Sequence, residues 1–171
     1  VTFEELLYEG YGPGGIGLIV EVTTDNKNRS ASEVRSIFSK GGGNLAGAGA
    51  LAFNFKRRGQ FLIAKDKMDE DSITELALDN DAEDIISESD HYEIVCETAQ
   101  YDALAEALNM AGVEADSSEL AYLPKNVVQI SSAESAKKVL KLVESLEDLE
   151  DVKAVHGNYD MDESLLETIS C

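Results

Sequence analysis

The stretch that decides how this chain is read is Tyr8–Arg29, YEGYGPGGIGLIVEVTTDNKNR. A glycine cluster runs into an apolar segment, and a polar segment with two asparagines and two cations follows. Ile16, Leu18, Val20 and Val22 alternate along the apolar part, which is β-branched and reads as a strand. Gly10, Gly12 and Gly15 satisfy a G-x-G-x-x-G spacing. A dinucleotide fingerprint must follow a strand and open a helix, because the helix N-terminus holds the pyrophosphate. Here the glycines precede a strand and no G-K-[ST] follows, so a nucleotide pocket is not expected. Gly10, Gly12, Gly14 and Gly15 still carry an entropic cost. Two readings stand. Their bare amides form a contact surface, with Tyr8 and Tyr11 as stacking rings and Asn26, Asn28 and Arg29 as a second polar patch at the far end of the strand. Alternatively, the glycines and Pro13 only permit an unusual backbone path packed against a neighbouring domain.

Working outward, SASEVRSIFSK reads as a helix, with Ser30 and Glu33 as a capping box and Val34, Ile37 and Phe38 as its apolar stripe. Gly41 is its expected left-handed cap. ALAFNF places Leu51, Phe53 and Phe55 on one strand face, KRRG turns the chain, and QFLIA returns as the second arm of a hairpin. The first 65 residues thus read β-α-β-β. The middle reads α-β-β-α-β. A helix there is capped by Ser72 and Glu75, EDIISES and HYEIVCET form a hairpin, a helix carries Leu104 and Leu108 and stops at Gly112, and SELAYLP is a strand. At the end, Ser131 and Glu134 cap a helix with Ala136, Val139, Leu140, Val143 and Leu146 on one face, and VKAVHGNYD closes as a strand.

The net charge of −20 is unevenly spread. Residues 1–65 hold 8 Lys/Arg and 6 Asp/Glu, whereas residues 66–171 hold 6 and 28. The first block lacks the α-β that would finish a ferredoxin-like βαββαβ sandwich, and the last block supplies it. The expected fold is therefore α+β, with two antiparallel-sheet α/β sandwich domains, the second inserted into the first. The outer domain is 1–65 plus 126–171 and the acidic insertion is 66–125. That acid is a solubilising surface or a docking face for a basic partner.

Candidate chemistry is sparse. His91 falls in a turn and His156 in the last strand, neither with a motif-spaced nucleophile. DNDAEDIISESD has the spacing of a calcium loop, but Asp84 stands where glycine is needed and Asp90 where a bidentate glutamate is needed. Cys96 shares a strand face with Tyr92 and Ile94, as a buried free thiol would, and Cys171 is a frayed terminus. No apolar run reaches the ~20 residues of a membrane span and no signal segment opens the chain, so a soluble, unsecreted protein is expected. The cations offer more. Arg29, Arg35 and Lys40 flank one helix, and Lys56, Arg57 and Arg58 crown the expected hairpin tip as a solvated turn or a phosphate contact.

The quoted stretch, continued to Leu45, closely resembles the YebC family. Tyr8–Gly15 match its Y-E-G-Y-G-P-G-G, Thr24–Arg29 its T-D-N-x-N-R, and Lys40–Leu45, with Asn44, its K-x-G-G-N-L. The resemblance covers essentially the whole chain. It implies a regulator of gene expression, either a transcriptional regulator or a translational activator, with no enzyme activity, no cofactor and no small-molecule substrate. The implied partners are nucleic acid, DNA or ribosomal RNA, or the ribosome. The implied location is the cytoplasm, or the mitochondrion in a eukaryote. It also implies a basic N-terminal helical domain, which has no counterpart in these 171 residues and on which nucleic-acid binding is expected to depend. A transcription factor must read base edges in a duplex groove, and no helix here clusters base-reading side chains. A translation factor can work by shape and backbone contact. A protein interaction module without nucleic-acid binding is the remaining reading.

Overall fold

The computed structural model describes residues 2–161 and 164–165; Cys171 lies outside them. Among the described residues the strands and longer helices run β1 Glu4–Tyr11, β2 Gly17–Thr24, α1 Lys27–Lys40, β3 Asn44–Ala46, β4 Phe55–Ala64, α2 Glu70–Asp79, β5 Asp84–Ser87, β6 His91–Cys96, α3 Tyr101–Met110, β7 Ser117–Pro124, β8 Val128–Ile130, α4 Ala133–Glu147, β9 Val152–Gly157 and β10 Tyr159–Met161. The fold is α+β, built on two four-stranded antiparallel sheets, β3-β1-β2-β9 and β5-β6-β4-β7. β8 and β10 form a separate parallel pair. The chain divides into two compact units, Val1–Lys56 with Leu123–Cys171, and Arg57–Tyr122.

In the first unit the alternation of β2 sends Ile16, Leu18, Val20 and Val22 to one side. There they pack with Val34 and Phe38 of α1 and with Ala136, Val139, Leu142 and Leu146 of α4. In α4 it is Leu142, not Leu140 or Val143, that completes the fully buried stripe. β1, absent from the sequence reading, pairs along its whole length with β2 and also holds β3. The YGPGG segment is therefore the turn of a hairpin between two antiparallel strands. Leu51, Phe53 and Phe55 do not form a strand arm; Ala52–Asn54 is a single 3₁₀ turn.

In the second unit Phe61, Ile63, Tyr92, Ile94 and Cys96 of the sheet pack with Ile73 and Ala77 of α2 and Leu104 and Leu108 of α3. The Phe61 and Tyr101 rings stack 5.0 Å apart. Cys96 is a buried free thiol whose pKa is raised by burial. The expected hairpin at Lys56–Gly59 does not exist, because β4 runs unbroken through it. Gly59 serves packing instead: a Cβ there would lie 2.7 Å from both Cys96 Sγ and the Tyr101 ring. With β4 in place, β4-α2-β5-β6-α3-β7 is itself a complete βαββαβ motif in ferredoxin-like order. α4, β9 and β10 do not complete that motif. They join a sheet of different connectivity.

The helix caps also move. Asn26, Asp69 and Ser132 accept the capping bonds from Arg29, Ser72 and Ser135, in place of Ser30, Ser72 and Ser131. The left-handed residue after α1 is Gly42, with φ 84°, and not Gly41.

Candidate functional site

The hairpin turn follows from its residues. Gly12 N donates to Ile16 O at 2.9 Å, and Gly14 and Gly15 take φ of 78° and 79°, which side-chain-bearing residues resist. A Cβ at either would touch nothing within 4 Å, so the tip presents bare backbone to solvent. The other two glycines have a different cause. A Cβ at Gly10 would lie 2.6 Å from the Phe38 ring, and one at Gly12 would lie 3.1 Å from Ile16 and Leu142. Two glycines of the motif thus let helices approach the sheet, and two make the turn. Tyr8 is half-buried against the core and its hydroxyl donates to Lys27 O at 3.4 Å, so its ring is not a free stacking platform. Burial raises its pKa. Tyr11 is 38% exposed. It pairs in register with Asn44, itself exposed, so both border the turn.

The polar patch Thr24–Arg29 stands at the other end of β2, roughly 23 Å away at ~3.3 Å per residue. It is built around a carboxylate that the sequence reading missed. Asp151 accepts from Thr24 Oγ1 at 3.1 Å, Ser30 Oγ at 2.7 Å and the Arg29 guanidinium at 2.9 Å. The bonds from Ser30, Arg29 and Thr24 hold its pKa below the usual carboxylate range. Arg29 also meets Asp25 at 2.8 Å, and its pKa is raised by Asp151 and Asp25. The patch thereby joins the start of α1 to the loop before β9, and Arg29 and Asn26 serve that junction. Asn28 is exposed in the first turn of α1.

The remaining cations do not gather into one tip. Arg35 and Lys40 are exposed on α1, and Lys56 is exposed at the start of β4. Arg57 places its guanidinium 4.5 Å from the centre of the Tyr122 ring, and Arg58 pairs with Glu83 at 3.0 Å. Of the sequence candidates, the structure brings together Tyr11, Gly12, Gly14, Gly15 and Asn44. Pro13 adjoins them across Gly42, where a Cβ would sit 3.8 Å from its ring. The second unit carries four cations against eighteen carboxylates, the first ten against sixteen. Among the described residues no group of three or more His, Cys, Asp or Glu is placed to hold a metal ion, and no helix is long and apolar enough to cross a membrane.

Residues 3–159 match the family described as TACO1/YebC second and third domain. A probable transcriptional regulatory protein of Opitutus terrae is 46% identical over 166 residues, 97% of this chain and 67% of that protein. One from Sulfurihydrogenibium sp. is 45% identical over 99% of this chain and 68% of its own length. The crystal structure of a conserved hypothetical protein from Aquifex aeolicus superposes with a TM-score of 0.84 at 37% identity, over 94% of this chain and 66% of that one. The chain spans about two thirds of the length of these proteins.

Proposed function

The chain belongs to the TACO1/YebC family, and we propose that it is a non-catalytic regulator of gene expression that contacts nucleic acid, RNA in particular, through the turn Tyr11–Gly15. One observation carries this reading: Gly14 and Gly15 hold their backbone in open solvent beside the exposed ring of Tyr11, with no side chain in the way. The amides of Gly12 and Gly15 already donate within the turn, to Ile16 O and Gly12 O, so what the tip offers a phosphate is close approach to the backbone at Gly14, and a neighbouring ring suits an unpaired base. The relatives' names support regulation. RNA is favoured over duplex DNA because the four exposed cations of α1, Lys27, Arg29, Arg35 and Lys40, are spread along the whole helix, and Arg29 is held by Asp25 and Asp151, so they form no compact set to read base edges in a groove. Lys56 lies apart from the turn in sequence and acts through long-range charge, and the neutral Asn28 lies beyond β2 from the turn.

Gly14 offers a clean test, because asparagine and aspartate both tolerate its left-handed backbone better than other side chains do. Gly14→Asp places a carboxylate at the tip, and Gly14→Asn places a neutral side chain of the same shape. In anisotropy titrations with a ribosomal RNA fragment, Gly14→Asp is expected to weaken binding about tenfold, or ~1.4 kcal/mol, and Gly14→Asn by much less. Equal effects of the two variants, or none, would exclude an anion at the tip.

A further inference from the structure

A second feature of the first unit lies outside the turn and pairs the Lys40–Gly42 segment with residues of α4. The C-terminal end of α1 and the middle of α4 enclose a groove of about 540 Å³, lined by Ile37, Lys40, Gly41 and Gly42 on one side and Lys138, Lys141, Leu142 and Ser145 on the other. Its floor is aliphatic. Gly41 makes the groove possible, since a Cβ there would stand 2.8 Å from Leu142. Its rim bears three lysines, in a chain whose net charge is −20. None of these lining residues is acidic. An ion pair on the rim, Lys138 with Glu134 at 3.4 Å, joins two largely exposed side chains and contributes little.

We propose that this groove docks an acidic amphipathic segment of a partner protein, its aliphatic side chains on Ile37 and Leu142 and its carboxylates on Lys40, Lys138 and Lys141. Charge complementarity selects an anion. The floor then chooses among anions. A base stacks on an aromatic ring or a guanidinium plane, and none of the lining residues offers either. An aliphatic floor between lysines instead matches the pattern of a helix that lays its apolar face into a groove with charges on both flanks. Lysine stems add apolar contact below their ammonium groups. Rim charges of this kind set partner choice and association rate, so binding should weaken steeply with salt.

The probe is a labelled helix-forming peptide of leucine and glutamate with its leucines on one face, set beside a counterpart carrying lysine for glutamate and a single-stranded oligouridylate. The acidic peptide is expected to bind the intact chain saturably with Kd near ~10⁻⁵ M and to shift the amide resonances of Lys40, Gly41, Gly42 and Ser145. Lys138→Glu with Lys141→Glu should weaken it at least tenfold and leave the unfolding midpoint in place, because both side chains are exposed. Lys141→Ala, a milder change, should weaken it in the same direction. The proposal is overturned by absence of saturable binding, by equal binding of the lysine counterpart, by shifts elsewhere, or by oligouridylate binding at the same amides. These readouts do not involve Gly14, so the fate of the turn and that of the groove are decided separately.

Discussion

Gly43→Ala is expected to destabilise the first unit by about 3 kcal/mol, at the upper end of the ~1–3 kcal/mol typical of overpacking. A Cβ at Gly43 would stand 2.0 Å from the Tyr11 carbonyl oxygen and 3.1 Å from Gly12 Cα. These are backbone atoms, so no rotamer change relieves the clash. Gly43 N also donates to Phe38 O at 2.8 Å, fixing the exit from α1 immediately before β3 pairs with β1. Moving Gly43 away therefore breaks either the helix end or the pairing of Asn44 with Tyr11. Gly47→Ala is the control: nothing lies within 4 Å of its Cβ, its φ is not in the left-handed region, and its effect should stay within about 0.5 kcal/mol. Urea unfolding followed by the tyrosine signal compares the two, and equal stabilities would refute the packing argument.

Glu9→Ala is expected to cost a similar amount by another route. Glu9 is 6% exposed, and its carboxylate accepts from the amides of Leu51 and Ala52, both at 2.7 Å, and of Gly49 at 2.6 Å. A buried amide left unpaired costs about 1–3 kcal/mol. Leu51 is buried, whereas Gly49 and Ala52 are exposed and regain water, so Leu51 dominates and a total of about 2–3 kcal/mol follows. Glu9→Gln should fall between, since its amide group turns a donor toward one of the three N–H groups. Hydrogen exchange at Leu51 should accelerate in both variants, more in the alanine one. Unchanged protection in Glu9→Ala would show that the segment 47–54 does not depend on this carboxylate.

Glu9 also illustrates what was legible in the sequence. A lone acid in a strand looks solvated, and only the return of residues 49–52 reveals it as an anchor. Asp151 is similar: its partners Thr24, Ser30 and Arg29 lie more than a hundred residues away, beyond the reach of local pattern. Features carried by periodicity or spacing were readable, namely the α+β class with two antiparallel sheets, the strand that begins at Ile16, the hairpin of β5 and β6 and the buried Cys96, while the family resemblance rested on the motifs of residues 8–45. β4 was misread because a glycine after three cations has the composition of a turn. Gly59 is small for a tertiary reason, the approach of Cys96 and Tyr101. The same ambiguity ran through the opening motif, where Gly10 and Gly12 answer to packing and Gly14 and Gly15 to the turn. Lys138 and Lys141 carry no local signal in the sequence, because the wall that faces them is supplied by α1.

The most direct measurement on the turn is an amide-resolved titration of the chain with a single-stranded ribosomal RNA fragment at ~150 mM salt, where exposed charges are screened beyond ~8 Å. Shifts that saturate at Tyr11, Gly14 and Gly15, and that are lost in Gly14→Asp but kept in Gly14→Asn, are the expected result. Shifts confined to other surfaces, or a spectrum unmoved by the RNA, would contradict the assignment of this turn as the nucleic-acid contact.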